Sequence, residues 1–271
     1  MISWGYGSGP FLIAQTGQLR IKRHMADKNP VIDKLFSVGA HFGYSPSRRH
    51  PSTSKYIFGA KGGVELFDLE QVAALLSESL EFVAKLAGER KTILFVGGKA
   101  EATQALQRAA ERLNLPYSAG RWIGGSLTNF SEIKRRLNRL DELTDMREKG
   151  ELAKFTKKER LLIDREITEL EDMFGGLKGM TKNPDALFVV DPKQESIAVA
   201  EARQLNIPVI ALMNSDCDRS LVTHPIPAND AAREVIQYVL GEVADTYEKS
   251  LAPAAPAAPA AAAAPAVATT N

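Results

Sequence analysis

Residues 121–130 read RWIGGSLTNF. These ten positions hold an arginine, a tryptophan, two adjacent glycines, two hydroxyls and an amide, the donor set that receives an anion. Gly124 and Gly125 permit close backbone approach. Arg121 offers a two-pronged fork for phosphate, or a plane for stacking. Thr128 and Asn129 either cap a following helix or donate to phosphate and sugar. Trp122 reads as buried packing, with base stacking the lesser role. Nothing nearby has the character of a nucleophile or a general base, so the loop is expected to hold a partner rather than transform one.

A second stretch, FVGGKAEAT at 95–103, is a glycine-rich turn between a strand and a helix, where a phosphate could sit. A P-loop needs a glycine five positions before its Gly-Lys and a Ser or Thr after it, but Ile93 and Ala100 stand there. The G-x-G-x-x-G dinucleotide pattern is missing too. The turn reads as a tight connection, with a nucleotide- or phosphate-binding α/β enzyme as the alternative function. His24, His41, His50 and His224 lack metal-ligand spacing, and no serine sits in a nucleophile elbow. Cys217 lies between Asp216 and Asp218, whose charges raise a thiol's pKa. Asp191, Asp216 and Asp218 follow expected strand ends. They either converge on a hard cation or form Asx turns in a solvated loop, the reading preferred here. No catalytic residue, metal ligand or cofactor is expected.

The elements that carry these loops alternate. TILFV at 92–96, ALFVV at 186–190 and PVIAL at 208–212 are short apolar runs of the buried-strand type. Between and around them lie helical patterns: Val72, Leu76, Leu80 and Val83; Ala102, Leu106, Ala109 and Leu113; Ala198, Ala202 and Leu205; Ala232, Val235, Val239 and Val243. Asp68 with Gln71 resembles a capping box, and Asn229 is placed to cap the last helix. Strands alternating with helices imply a doubly wound α/β domain with a parallel sheet.

Residues 129–173 break that rhythm with charged, helix-forming sequence. Ile133, Leu137, Leu140 and Leu143 form one apolar seam, and Ile163, Ile167, Leu170 and Phe174 another. Thr156 and Glu159 make a capping box, and residues 146–155, with Gly150, are the natural turn. The segment is read as an antiparallel helical hairpin, coiled-coil in character, inserted between α/β portions at 25–128 and 174–250. Most of its charges read as intrahelical pairs on a solvated surface. Lys134, Arg135, Arg136 and Arg139 form a denser basic cluster near the donor-rich loop, with Glu132 the nearby acid.

Composition sets the outer limits. Charged residues are 25% of the chain and the net charge is +1, which argues against a naked nucleic-acid binder. The distribution is uneven: residues 1–60 hold eight Lys/Arg, among them Arg48, Arg49 and Lys55, against Asp27 and Asp33. That asymmetry suggests a basic face for an anionic partner. One cysteine cannot form an internal disulfide and fits a reducing, cytoplasmic setting. No apolar run approaches the roughly 18 residues of a membrane span, and no membrane partner is expected. Residues 1–24 lack signal-peptide character and read as an extension or a misplaced start before Met25. Residues 251–271 hold twelve alanines and four prolines without charge and read as a disordered tail.

The chain resembles the bacterial small-subunit ribosomal protein S-two family. GAHFG (39–43), YIFGAKGGVELFDLEQ (56–71), ILFVGGK (93–99), RWIGGSLTNF, TKKER (156–160), GGLKGM (175–180), PDALFVVD (184–191), IPVIALMNSDCD (207–218) and IPANDAA (226–232) carry the resemblance in order, over about 31–248. It implies a flavodoxin-like α/β domain with an inserted helical hairpin, no catalysis, and a place in the cytoplasmic ribosome. The implied partners are small-subunit ribosomal RNA at the junction of head and body, the large multi-OB-fold protein S-one, and neighbouring small-subunit proteins. Self-assembly into a homo-oligomer is not implied. The RNA-binding residues expected from residues and resemblance together are Arg48, Arg49, Lys55, Arg121, Thr128, Asn129, Lys134, Arg135 and Arg136. The chain departs from the family where Tyr44-Ser-Pro-Ser-Arg48-Arg49-His50-Pro51 replaces the usual His-Gln-Thr-Arg-Arg-Trp-Asn-Pro, and Ser52 and Ser54 stand where lysines are common. Asn214 replaces a usual Asp, and Ala228 a usual Gly.

Overall fold

The computed structural model describes residues 29–251. The expectations for 1–24 and for the tail beyond Leu251 lie outside the described residues. The chain opens with α1 (Pro30–Ser37), capped by the Asn29 side chain with Pro30 in the first turn. Pro30's fixed φ suits that position. An antiparallel ribbon follows, β1 (Ile57–Lys61) and β2 (Val64–Phe67). It turns at Gly62 and Gly63, both at positive φ, which glycine adopts freely.

Then come α2 (Leu69–Gly88), β3 (Ile93–Val96), α3 (Ala100–Leu113), β4 (Tyr117–Ser118), α4 (Phe130–Glu148) and α5 (Lys157–Phe174). The last elements are β5 (Ala186–Val190), α6 (Ser196–Gln204), β6 (Val209–Met213), β7 (His224–Pro227) and α7 (Arg233–Ser250).

Five strands form one parallel sheet in the order β4-β3-β5-β6-β7. Counted from β3, this is the order 2-1-3-4-5 of flavodoxin-like domains. Every residue of β3, β5 and β6 is buried, as expected of a sheet covered on both faces. Alternation divides the side chains between two cores. Phe95, Phe188, Ile210 and Leu212 pack with α2, α3 and α7 on one face. Leu94, Val96, Leu187, Val189, Ala211 and Met213 pack on the other with α6 and the apolar seams of α4 and α5. The two long charged helices therefore share the core of the sheet.

The helix ends follow the sequence with some corrections. Thr156 and Glu159 form the reciprocal capping box, and Gly150 turns the chain between α4 and α5 at φ +71°. Asp68 caps α2, but Gln71 donates to the Asp68 carboxylate instead of closing a box. Asn229 does not cap the last helix. Its side chain accepts from the Ala231 N–H in a turn, and the helix begins at Arg233. Leu205, expected on an inner face, is exposed at the end of α6. The strands β4 and β7 and the β1–β2 ribbon have no counterpart among the expected elements. Each is short or contains Pro or Gly, which hides it from apolar periodicity.

Candidate nucleic-acid interface

The loop at 121–130 leaves the edge strand β4 and enters α4. Its donors do converge on an anion, but the anion belongs to the protein. Oε1 of Glu201, on α6, accepts from Trp122 Nε1–H at 3.2 Å and from the Gly125 N–H at 2.8 Å. Oε2 accepts from the Leu127 N–H at 3.0 Å, and from the Thr128 N–H and hydroxyl at 3.1 Å each. Burial opposes the charge of Glu201, yet the backbone and indole donors outweigh it and hold the carboxyl below the usual range. The Thr128 hydroxyl is thus engaged internally and neither caps α4 nor reaches outward. Asn129 occupies the cap position without a side-chain cap bond, and its oxygen accepts from the Ser131 hydroxyl. Trp122 is buried, as its type suggested. Arg121 is exposed, and its guanidinium has no hydrogen bond or ion pair among the described residues.

The glycine-rich turn after β3 lies where the strand order reverses, the crevice that holds ligands in doubly wound folds. Here protein groups fill it. The Gly98 N–H donates to Glu195 Oε1 at 2.9 Å, and a side chain on Gly98 would meet that oxygen. Lys99 Nζ binds Asp191 at 2.7 Å and Asp230 at 2.8 Å. Burial works against the ammonium, but Asp230 and Asp191 together outweigh it and raise the Lys99 pKa. Asp191 ends β5 at φ +60° and also accepts the N–H groups of Lys193 and Gln194.

The three aspartates considered for a cation each have protein partners. Asp216 binds Lys193 at 2.8 Å and lies 3.6 Å from Arg48. Asp218 caps a short turn through the Ser220 N–H and hydroxyl. Among the described residues the group with metal-like proximity is instead Asp191, Cys217 and Asp230, whose potential ligand atoms lie within 4.8 Å of one another. Two features work against a metal there. The ammonium of Lys99 binds both carboxylates, and burial, with Asp191 next in effect, pushes the Cys217 thiol far up and keeps it protonated.

The basic residues fall into two sets. Arg48 stacks over the Tyr44 ring at 4.4 Å while pairing with Asp216. Arg49 binds the buried Glu65 at 3.0 Å. The basic excess of the N-terminal segment is thus partly neutralised within the fold. Lys55 lies over the Tyr56 ring at 4.8 Å. On α4, Arg135 and Arg136 share Glu132, and Arg139 crosses to Glu166 on α5. Arg135 is nonetheless 81% exposed, and pairs this exposed contribute little and exchange readily. Lys134 is exposed and has no partner among the described residues.

Sequence reasoning missed exposed aromatics around α1 and on β1. Phe36 stacks on His41 at 4.7 Å, and Phe42 lies 4.0 Å from the same ring. Phe58, on β1, is 72% exposed. Three of these residues lie within the GAHFG and YIFG stretches, but aromatics in strand-like sequence read as core.

A family model described as ribosomal protein S2 matches residues 35–250. The chain belongs to that family. It is similar to the small ribosomal subunit protein uS2 of Dictyoglomus thermophilum, 40% identical over 215 residues that cover 79% of this chain and 87% of the relative. It is also similar to the uS2 protein of Wolinella succinogenes, 40% identical over 218 residues, 80% of each chain. Membership in this family of structural ribosomal proteins sets aside the nucleotide-enzyme alternative, in agreement with the filled crevice. The departures from the S2 pattern also acquire physical reasons. Asn214 donates to Asp230 at 2.9 Å, where an aspartate would add another carboxylate beside it. Arg49, in place of the tryptophan, neutralises Glu65. Ala228 has no positive φ that would call for glycine.

Proposed function

We propose that this protein, a structural constituent of the small ribosomal subunit in the cytoplasm, holds subunit RNA at the junction of head and body and helps dock protein S-one. Arg121 and Lys134 carry the RNA reading, because they are exposed cations on one loop–helix junction with no partner among the described residues. Arg135 and Arg136 adjoin them on α4, and Arg48 and Lys55 add cations on the segment before β1. Such side chains neutralise phosphates and release counterions, so recognition depends on shape more than on base identity. Phe36 and Phe42 are exposed around His41, and Phe58 is exposed on β1; such apolar side chains suit a protein partner better than a phosphate backbone, which supports docking of S-one. The protein acts as a single copy, not as a homo-oligomer.

The test is sedimentation of the protein in a gentle cell extract at rising salt. Comigration with small subunits at low salt, lost progressively as salt rises, is the expected result. Migration as a free protein throughout would refute the reading. Arg121→Ala should weaken subunit binding and flatten the log–log salt dependence by about 0.7–0.9, the contribution of one phosphate contact.

A further inference from the structure

We infer that Glu201 is the positioning residue of the RNA-facing loop: its carboxylate, presented from α6, fixes the backbone of residues 122–128 and thereby the direction of Arg121. The inference rests on the RNA-binding reading above. Five donors from one loop meet two oxygens of one side chain. Successive backbone N–H groups that point inward form a concave nest for an anion. Gly125 closes that nest at φ +89°, a conformation other residues adopt rarely. Glu201 is 93% buried in residue terms, being 7% exposed, and no cation pairs with it among the described residues.

Trp122 and Leu127 pack into the core on this face of the sheet, so burial anchors the segment while Glu201 fixes its polar backbone groups. Its own bonds are Ser126 to the Ile123 carbonyl, by N–H and by hydroxyl, and the Asn129 N–H to the Gly125 carbonyl. With Glu201 in place, the donors turn inward while Arg121, Gly124, Thr128 and Asn129 remain on the surface. Arg121 adjoins Trp122, the first residue the carboxylate holds. Glutamine is the discriminating replacement: it keeps shape and length but sets an NH2 group against N–H donors that need an acceptor. Aspartate is one methylene too short to reach both sides of the nest from the same helix position.

The experiment uses the full chain with Trp4→Phe, which leaves Trp122 as the sole tryptophan. Glu201→Gln is compared with the parent by Trp122 emission, by amide exchange at Gly125, Leu127 and Thr128, and by binding to small subunits stripped of this protein. The expected result is a red-shifted Trp122, exchange at those amides at least about tenfold faster, and subunit affinity about tenfold weaker, the scale of one charge-assisted contact. Arg121→Ala should add almost nothing in the Glu201→Gln background, since both act through one contact. Glu201→Ala should recover Trp122 emission when formate is added to fill the nest. Unchanged amide protection overturns the inference, and so does a full additive loss from Arg121→Ala. If Glu201→Gln does not fold, Thr128→Val and Trp122→Phe remove one donor each, and loop protection that stays at the parental level in both variants overturns it equally. A parent that fails to bind stripped subunits, with its loop amides still protected in a Glu201-dependent way, refutes the RNA-binding reading and separates that failure from a failure of the loop geometry.

Discussion

Replacing Lys99 with methionine tests the view that the ligand crevice of this fold has become a structural ion cluster. The Lys99 side chain is 13% exposed, and its partners Asp191 and Asp230 are 12% and 0% exposed. Methionine keeps the apolar stem and removes the charge, so the two carboxylates face each other without a counterion. Leaving a buried charge uncompensated costs about 3–5 kcal/mol. For a domain of this size that corresponds to a fall in Tm of roughly 10 °C. The pH dependence has a definite sign. Burial already pushes the Asp230 carboxyl above its ordinary value, more than Lys99 and Asn214 pull it down. A carboxyl raised in the folded state favours folding fully below its unfolded pKa, and that contribution is lost as pH rises through the folded value. Without Lys99 the upward shift grows, so the deficit of Lys99→Met is largest near neutrality and shrinks toward acid. Thermal and urea unfolding of both proteins between about pH 4 and pH 8 would measure it. A deficit below about 1 kcal/mol at neutral pH would refute the assigned role, as would a gap that stays constant on acidification. Phosphate or nucleotide should not restore the variant, because the crevice is filled by protein groups and not shaped for a ligand.

Three further outcomes follow from the same geometry. Arg49→Ala strands Glu65, whose second carboxylate oxygen has no hydrogen-bond partner among the described residues. Urea unfolding should show a loss of about 2 kcal/mol, reduced from the fully buried case because Arg49 is itself partly exposed. Thr156→Ala removes the start of the capping box on α5, and the midpoint of thermal unfolding should report about 1 kcal/mol. Cys217 is fully buried with its thiol held protonated, so alkylation of the native protein should be slow and follow unfolding. Rapid modification under native conditions would contradict the described packing around β6.

The sequence by itself determined the frame of this protein. Apolar runs at 92–96, 186–190 and 208–212 fixed the central strands, because a strand buried on both faces needs a continuous apolar run. The seams Ile133–Leu143 and Ile163–Phe174 fixed the long helices, because helical periodicity is local and readable. Its ordered motifs also marked the S2 family. Tertiary structure decided what the polar residues do. The donor-rich loop looked outward in sequence, yet its anion is Glu201, more than seventy positions away on another helix. The Gly97–Lys99 turn resembled a phosphate site, yet Asp191 and Glu195 from one later connection and Asp230 from another occupy it. Arg49 read as an RNA contact, yet Glu65 on β2 claims its charge. In each case hydrophobic pattern is a property of neighbours along the chain, whereas the partner of a charge is set by which segments the sheet order brings within about 3 Å.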